Sequence, residues 1–206
     1  MYTPKVITDA VKEPITAAYL KLHSKVASGA AEDSLLAVHI GAARRFFENE
    51  TGKTIHQKTF QLAFDEWPES PFVLPLATPL ISVDSIIYTD SAGTPVTWPS
   101  TEYAVDTISE IGRVARGYSI SYPSFTHAPL NPIVIQYKGG IPTAVSPAVQ
   151  AEATEDIQQC VALLAGHFYD NRQALMFSDR GFVIQSQEVA FAARAIITQN
   201  IQWRFQ

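Results

Sequence analysis

The sequence predicts an α+β protein: a helical bundle built from the N- and C-terminal segments, with an inserted β-rich domain. Three observations carry this. Residues from about 14 to 52 place apolar side chains at helical spacing. From about 56 to 140 the chain is rich in Pro, Thr, Ser, Tyr, Val and Ile, and prolines at 68, 71, 75, 79, 95, 99, 123, 129 and 132 exclude long helices there. From Ser146 onward the helical spacing returns. The expected boundaries are 1–55 and 141–206 for the helical core and 56–140 for the β-rich insertion.

Pro14-Ile15-Thr16 opens the first zone, and Thr16 is placed to cap a short helix through Ser24. After the small linker Ala27-Ser28-Gly29-Ala30, a longer helix is expected over about Glu32 to Glu50. Leu36, Ile40, Ala43 and Phe47 follow one helical face, and Leu35 and Phe46 are expected to widen it. Arg44 and Arg45 fall late in that helix, where cations favour its dipole. Gly52 stands where a left-handed cap belongs.

In the middle zone, strands are expected at Thr59 to Phe64, Phe72 to Leu74, Val83 to Tyr88, Thr94 to Trp98, Tyr103 to Val105, Arg113 to Ala115 and Ile133 to Tyr137. Thr89 to Gly93 reads as a hairpin turn, and Gly139-Gly140 ends the last strand. In the last zone Ser146 is the expected N-cap with Pro147 at the first helical position. Glu152, Glu155 and Asp156 then fall just beyond the first turn. Ile157, Cys160, Val161, Leu164 and Phe168 trace one apolar face to about Tyr169. A loop around Ser178-Asp179-Arg180-Gly181 precedes a final helix, about Glu188 to Trp203, with Val189, Ala193, Ile196, Ile197 and Ile201 on one side.

Composition excludes several classes. The chain is 47% hydrophobic and 17% charged, which supplies a core and rules out a fully disordered chain. Its net charge of −5 disfavours tight nucleic-acid binding, which needs clustered Lys and Arg. One cysteine, Cys160, excludes an intrachain disulfide and a four-thiolate zinc site. Met1 to Thr16 lacks the basic start and apolar run of a signal peptide, and no stretch of about 18 apolar residues is present. A soluble, intracellular chain that makes no membrane contact is expected.

Catalytic and metal motifs are missing. His23, His39, His56, His127 and His167 show no metal-ligand spacing to one another. His167 and Asp170 share a helix side at i, i+3, which gives two ligands where catalytic zinc takes three. No nucleophile elbow or phosphate loop occurs, and Cys160 lies on an apolar helix face as a small hydrophobe. No cofactor and no metal are expected. The closing residues Ile201, Trp203, Arg204 and Phe205 are large and sticky, which makes them candidate anchors in a partner or subunit surface, or against their own helices.

The order of elements resembles the head–tail connector (adaptor) family of tailed bacteriophages and gene transfer agents. Glu13-Pro14-Ile15-Thr16 is similar to that family's opening phrase. Ala42-Ala43-Arg44-Arg45 through Thr51-Gly52 is similar to the end of its long helix, and Ile133 to Pro142 to its last strand and turn. Val145 to Arg172, ending His167-Phe168-Tyr169-Asp170-Asn171-Arg172, resembles its second long helix. Lys25 to Ala31, with Gly and Ala, departs from the acidic segment common in the family.

The resemblance implies a virion structural protein and not an enzyme. It implies a ring, a dodecamer in the virion, that docks on the portal protein and meets a head-completion (stopper) or tail protein on the other side. Such a ring is assembled in the host cytoplasm, sits in the virion neck, and lets DNA pass without specific binding. His167, Tyr169, Asn171 and Arg172 are then structural motif residues, with Phe168 in the core and Arg172 paired to a helix end or an acid. Ile201, Trp203, Arg204 and Phe205 are candidates for the portal or subunit interface. Another neck or tail-completion protein is the main alternative, and a small hydrolase using His167 and Asp170 the remote one.

Overall fold

The computed structural model describes residues 3–25, 32–109, 111–124, 130–141, 153–171, 176–178, 181–183 and 191–201. Over these the chain forms β1 (Lys5–Thr8), α1 (Ala17–Ser24), α2 (Asp33–Thr51), β2 (Lys58–Phe64), β3 (Phe72–Val73), β4 (Leu80–Thr89) and β5 (Pro95–Thr97). Then follow β6 (Tyr103–Asp106), β7 (Arg113–Arg116), β8 (Ile133–Gly139), α3 (Glu155–Asp170), β9 (Met176–Ser178), β10 (Gly181–Val183) and α4 (Phe191–Asn200). The fold is α+β. Two compact units result: Met1–Val11 with Gly52–Ala151, and Lys12–Thr51 with Glu152–Gln206.

The first unit holds a five-stranded antiparallel sheet in the order β1-β2-β8-β4-β5 and a three-stranded sheet in the order β3-β7-β6. Alternation along β8 sets the register: Ile133, Ile135 and Tyr137 are buried and face Phe64, Leu62 and Phe60 of β2. Apolar cross-strand pairs of this kind stabilise a sheet and fix which face is inside. One core joins the two sheets, with Phe72 and Val114 packed in the same cluster as Ile86, Ile135 and Tyr137. Trp98 is buried within it and donates Nε1–H to Glu102 at 2.8 Å, so its polar edge is satisfied. Tyr137 O–H reaches the Pro75 carbonyl at 2.6 Å.

The hairpin turn forms as expected. Asp90 Oδ1 accepts from Ala92 and Thr94 N–H at 2.8 and 2.9 Å, and Gly93 takes φ 81°. β4 is longer than its β-branched run suggested because two register shifts, between Leu80 and Ser82 and between Val83 and Ser85, break its alternation. β1 was not expected at all. Lys5–Thr8 pairs with β2, and Ile141 bridges to His56, so these residues lie with the sheets.

The second unit is helical over its described residues, apart from the antiparallel pair β9–β10. That pair stands where a loop around Ser178 to Gly181 was expected. Thr16 caps α1, its Oγ1 accepting from Tyr19 N–H at 3.1 Å. α1 and α2 pack on α3, and α4 packs on α3 and α2. Leu20, Leu36, Phe47 and Leu164 are fully buried, each contributing about 1.5–3 kcal/mol.

Four expectations change here. Leu35 is exposed and does not widen the α2 stripe. Phe168 is only half-buried and meets Phe46 edge-on at 6.3 Å. α3 starts at Glu155 after Thr154, so Glu155 and Asp156 stand in its first turn and support its dipole. Ser146 and Pro147 lie outside the described residues, as does Val189. Arg44 is buried in an ion-pair network and is not simply a cation at a helix end.

Candidate functional site

The sequence-predicted site residues that the structure describes lie in the helical unit. Its internal frame is set by the sequence phrases that carried the family resemblance. Arg44 is 2% exposed. Its Nε donates to Glu13 Oε2 at 2.9 Å and its Nη1 to Glu48 Oε2 at 3.1 Å. Glu13 precedes α1, while Arg44 and Glu48 are one turn apart on α2, so the pairing fixes how the chain enters the unit.

The stretch His167 to Asn171 works as a helix end. Asn171 donates both its backbone N–H and its Nδ2–H to the His167 carbonyl, each at 3.0 Å. Its Nδ2 also lies 3.2 Å from His167 Nδ1. The partner that a hydrolase would need for His167 is Asp170, yet the imidazole faces Asn171. Tyr169 O–H donates to Glu32 just before α2, and its ring meets His39 edge-on at 6.2 Å. This ties the end of α3 to the start of α2. Gly166 lets α1 approach: an added side-chain carbon would stand 3.0 Å from Ser24 Oγ. Arg172 lies outside the described residues.

Cys160 is fully buried, and its Sγ lies 3.7 Å from the Ala193 carbonyl. Burial, and secondarily the charge of Asp156, push the thiol up to about 11. That is the opposite of an activated nucleophile. Among the described residues no group of three or more His, Cys, Asp or Glu side chains is arranged to hold a metal ion, and no helix is long and apolar enough to cross a membrane.

Two outward faces remain. On α2, Leu35 and Val38 are exposed, Val38 by 66%, and Ala42 and Arg45 extend their row. On α3, Asp156, Gln159 and Asp170 are exposed, with half-buried Leu163 and His167 between them. Ile201 follows α4 and is 38% exposed; Trp203, Arg204 and Phe205 lie outside the described residues. The α2 face was missed in the sequence because Leu35 was assigned to the inner stripe and Val38 to neither. The 35, 38, 42, 45 spacing was the available signal, a second row at coiled-coil intervals.

No family model and no curated protein matches the chain. Solved structures do. A chain from the neck of an empty gene transfer agent (GTA) particle, computed with C6 symmetry, superposes with a TM-score of 0.74 at 20% identity, over 99% of this chain and 97% of the other. A chain of the native GTA particle virion gives 0.73 at 20% identity, over 99% and 97%. One from the neck of the native GTA particle, computed with C12 symmetry, gives 0.69 at 20% identity, over 100% and 97%.

The chain has their fold. The likeness spans both units. At 20% identity the likeness is one of fold.

Proposed function

We propose that this chain is a virion neck structural protein, a head–tail connector (adaptor) subunit. Copies form a ring that docks under the portal, extends the DNA channel and offers a platform to the next neck or tail protein. The observation that carries this is the end-to-end likeness to a subunit of a GTA neck. Particles computed with C6 and C12 symmetry support a cyclic arrangement of such chains.

In this reading the helical unit, drawn from two chain segments, is the ring-forming bundle, and the sheets between them are its insertion. A net charge of −5 suits a conduit, since an acidic wall repels phosphates and does not retain them. The ring's work is mechanical, and the buried, raised Cys160 thiol and the Asn171-bound His167 fit a protein without catalysis. Ile201 with Trp203, Arg204 and Phe205 is the proposed portal anchor.

Electron microscopy of the purified chain mixed with the portal of its own particle tests the proposal. A ring of density on the portal's tail-facing end is expected, and its absence together with binding to a tail component instead would favour the tail-completion alternative. Removing residues 202–206 is expected to abolish portal binding; unchanged binding would reject the anchor.

A further inference from the structure

Besides the rows on α2 and α3, the helical unit turns the far sides of α1 and α4 outward. Each of these helices packs on α2 and α3, and among the described residues the two do not touch each other. Gly166 of α3 lies beside Ser24 of α1, while Cys160 and Asp156 of α3 meet Ala193 and Asn200 of α4. At 100° per residue Gly166 and Cys160 stand roughly 120° apart around α3, so α1 and α4 occupy different flanks of the bundle. A subunit of a closed ring needs two different, complementary surfaces that face different ways.

The two flanks match in shape. On α1, Leu20 is fully buried, whereas Leu22, about 160° around the helix from it, is 84% exposed and Tyr19 is 40% exposed. On α4, Ala193 and Ile197 are buried, and the far side exposes Ala192, Ala195 and Gln199. The centres of both outer faces are uncharged, with His23 and Arg194 at their margins. Solvated helix faces ordinarily carry charge, as α3 does with exposed Asp156 and Asp170. Two large side chains stand out on one flank, and the other is a shallow face of small ones, the arrangement in which facing helices interdigitate. Charge-depleted centres with an aromatic residue are the usual make-up of an interface core.

Chain sense agrees. Glu13 before α1 meets Arg44 in the second half of α2, and Lys21 late in α1 meets Asp33 at the start of α2, so α1 runs against α2. α3 also runs against α2, its Tyr169 reaching Glu32, and α4 runs against α3. α1 and α4 therefore run in opposite senses. A turn of about 30° or 60° between neighbours, as in rings of twelve or six, leaves them opposed. When Leu22 stands on Ala195 in this sense, Tyr19, three residues back, comes beside Gln199, four residues on, so both contacts fall on one seam.

We infer that a second copy of this chain covers the outer face of α1: Leu22 packs on Ala195, and Tyr19 beside Gln199, of the next subunit's α4 in antiparallel sense. This seam rests on the ring reading and adds to it the surface by which neighbours join.

The test begins with wild-type protein on its portal, imaged by electron microscopy and sized by sedimentation. Leu22→Lys alone and Ala195→Glu alone are each expected to reduce ring formation at least tenfold, and the two together to restore it, an ion pair replacing the apolar contact. Both positions are exposed, so melting followed by circular dichroism should be unchanged in each variant. A variant that fails to fold leaves the decision to the cysteine pair. Leu22→Cys with Ala195→Cys is expected to give, on mild oxidation of the ring, a ladder of dimers, trimers and larger species on a non-reducing gel. The buried Cys160 does not compete. Wild-type rings whose cysteine pair gives no ladder would overturn the seam and leave the ring reading standing. Disulfide dimers from Leu22→Cys alone would place α1 against α1 and overturn it as well. No wild-type ring on the portal would remove the ring reading, and the seam with it.

Discussion

Arg44 donates Nε–H to Glu13 Oε2 at 2.9 Å across 31 residues of chain, and the same guanidinium reaches Glu48 at 3.1 Å. The pair joins the segment before α1 to the middle of α2, two places the sequence alone cannot connect. Removing the cation strands the buried Glu48 carboxylate. Arg44→Ala is expected to cost about 3–5 kcal/mol, the penalty for breaking a buried pair. Arg44→Met with Glu48→Leu should recover part of it, because the buried Glu48 charge leaves with the cation while the partly exposed Glu13 still loses its partner. Urea denaturation midpoints of the three proteins decide this.

Thr16 offers a smaller, cleaner test. Its hydroxyl accepts from Tyr19 N–H at the start of α1. Thr16→Ala should destabilise by about 1 kcal/mol, while Thr16→Ser should be nearly neutral. An equal loss in both would show that the methyl contact and not the cap matters.

Gly140 takes φ 104°, and an added side-chain carbon would lie 2.5 Å from the His56 carbonyl oxygen. Both the backbone angle and the space exclude any other residue. Gly140→Ala is expected to lose about 1–3 kcal/mol, as positive-φ strain generally does. Gly93→Ala, also at positive φ but facing open space, should lose less. A pair of thermal melts gives the comparison.

Cys160 gives a pH prediction. Burial raises its thiol from 9.0 to about 11 in the folded chain, so the folded state holds its proton where the unfolded state releases it. The contribution is fully present below about pH 9 and is lost as pH rises toward 11. Tyr137, also raised by burial, acts in the same direction above its ordinary value of 10.0. The urea midpoint should stay level from pH 7 to 9 and then fall. At pH 8 a thiol reagent should label native protein far more slowly than unfolded protein; equal rates would contradict the burial.

The sequence by itself determined the class of fold and most of its elements. Local signals sufficed where the cause is local: Thr16 as a cap, the 36, 40, 43, 47 stripe, the turn at Asp90 and Gly93, and the apolar alternation of Ile133, Ile135 and Tyr137. Tertiary structure alone decided what depends on a distant partner. Lys5–Thr8 becomes a strand because β2 offers it an edge, not because its own residues demand one. Arg44 is drawn inward because Glu13 and Glu48 meet it there. The outward rows of α2 and α3 were spelled in the sequence at regular spacing, but spacing does not tell which of two faces a helix buries. Packing against the other helices settles that, since each helix has one core to fill and its remaining face is left for whatever lies outside.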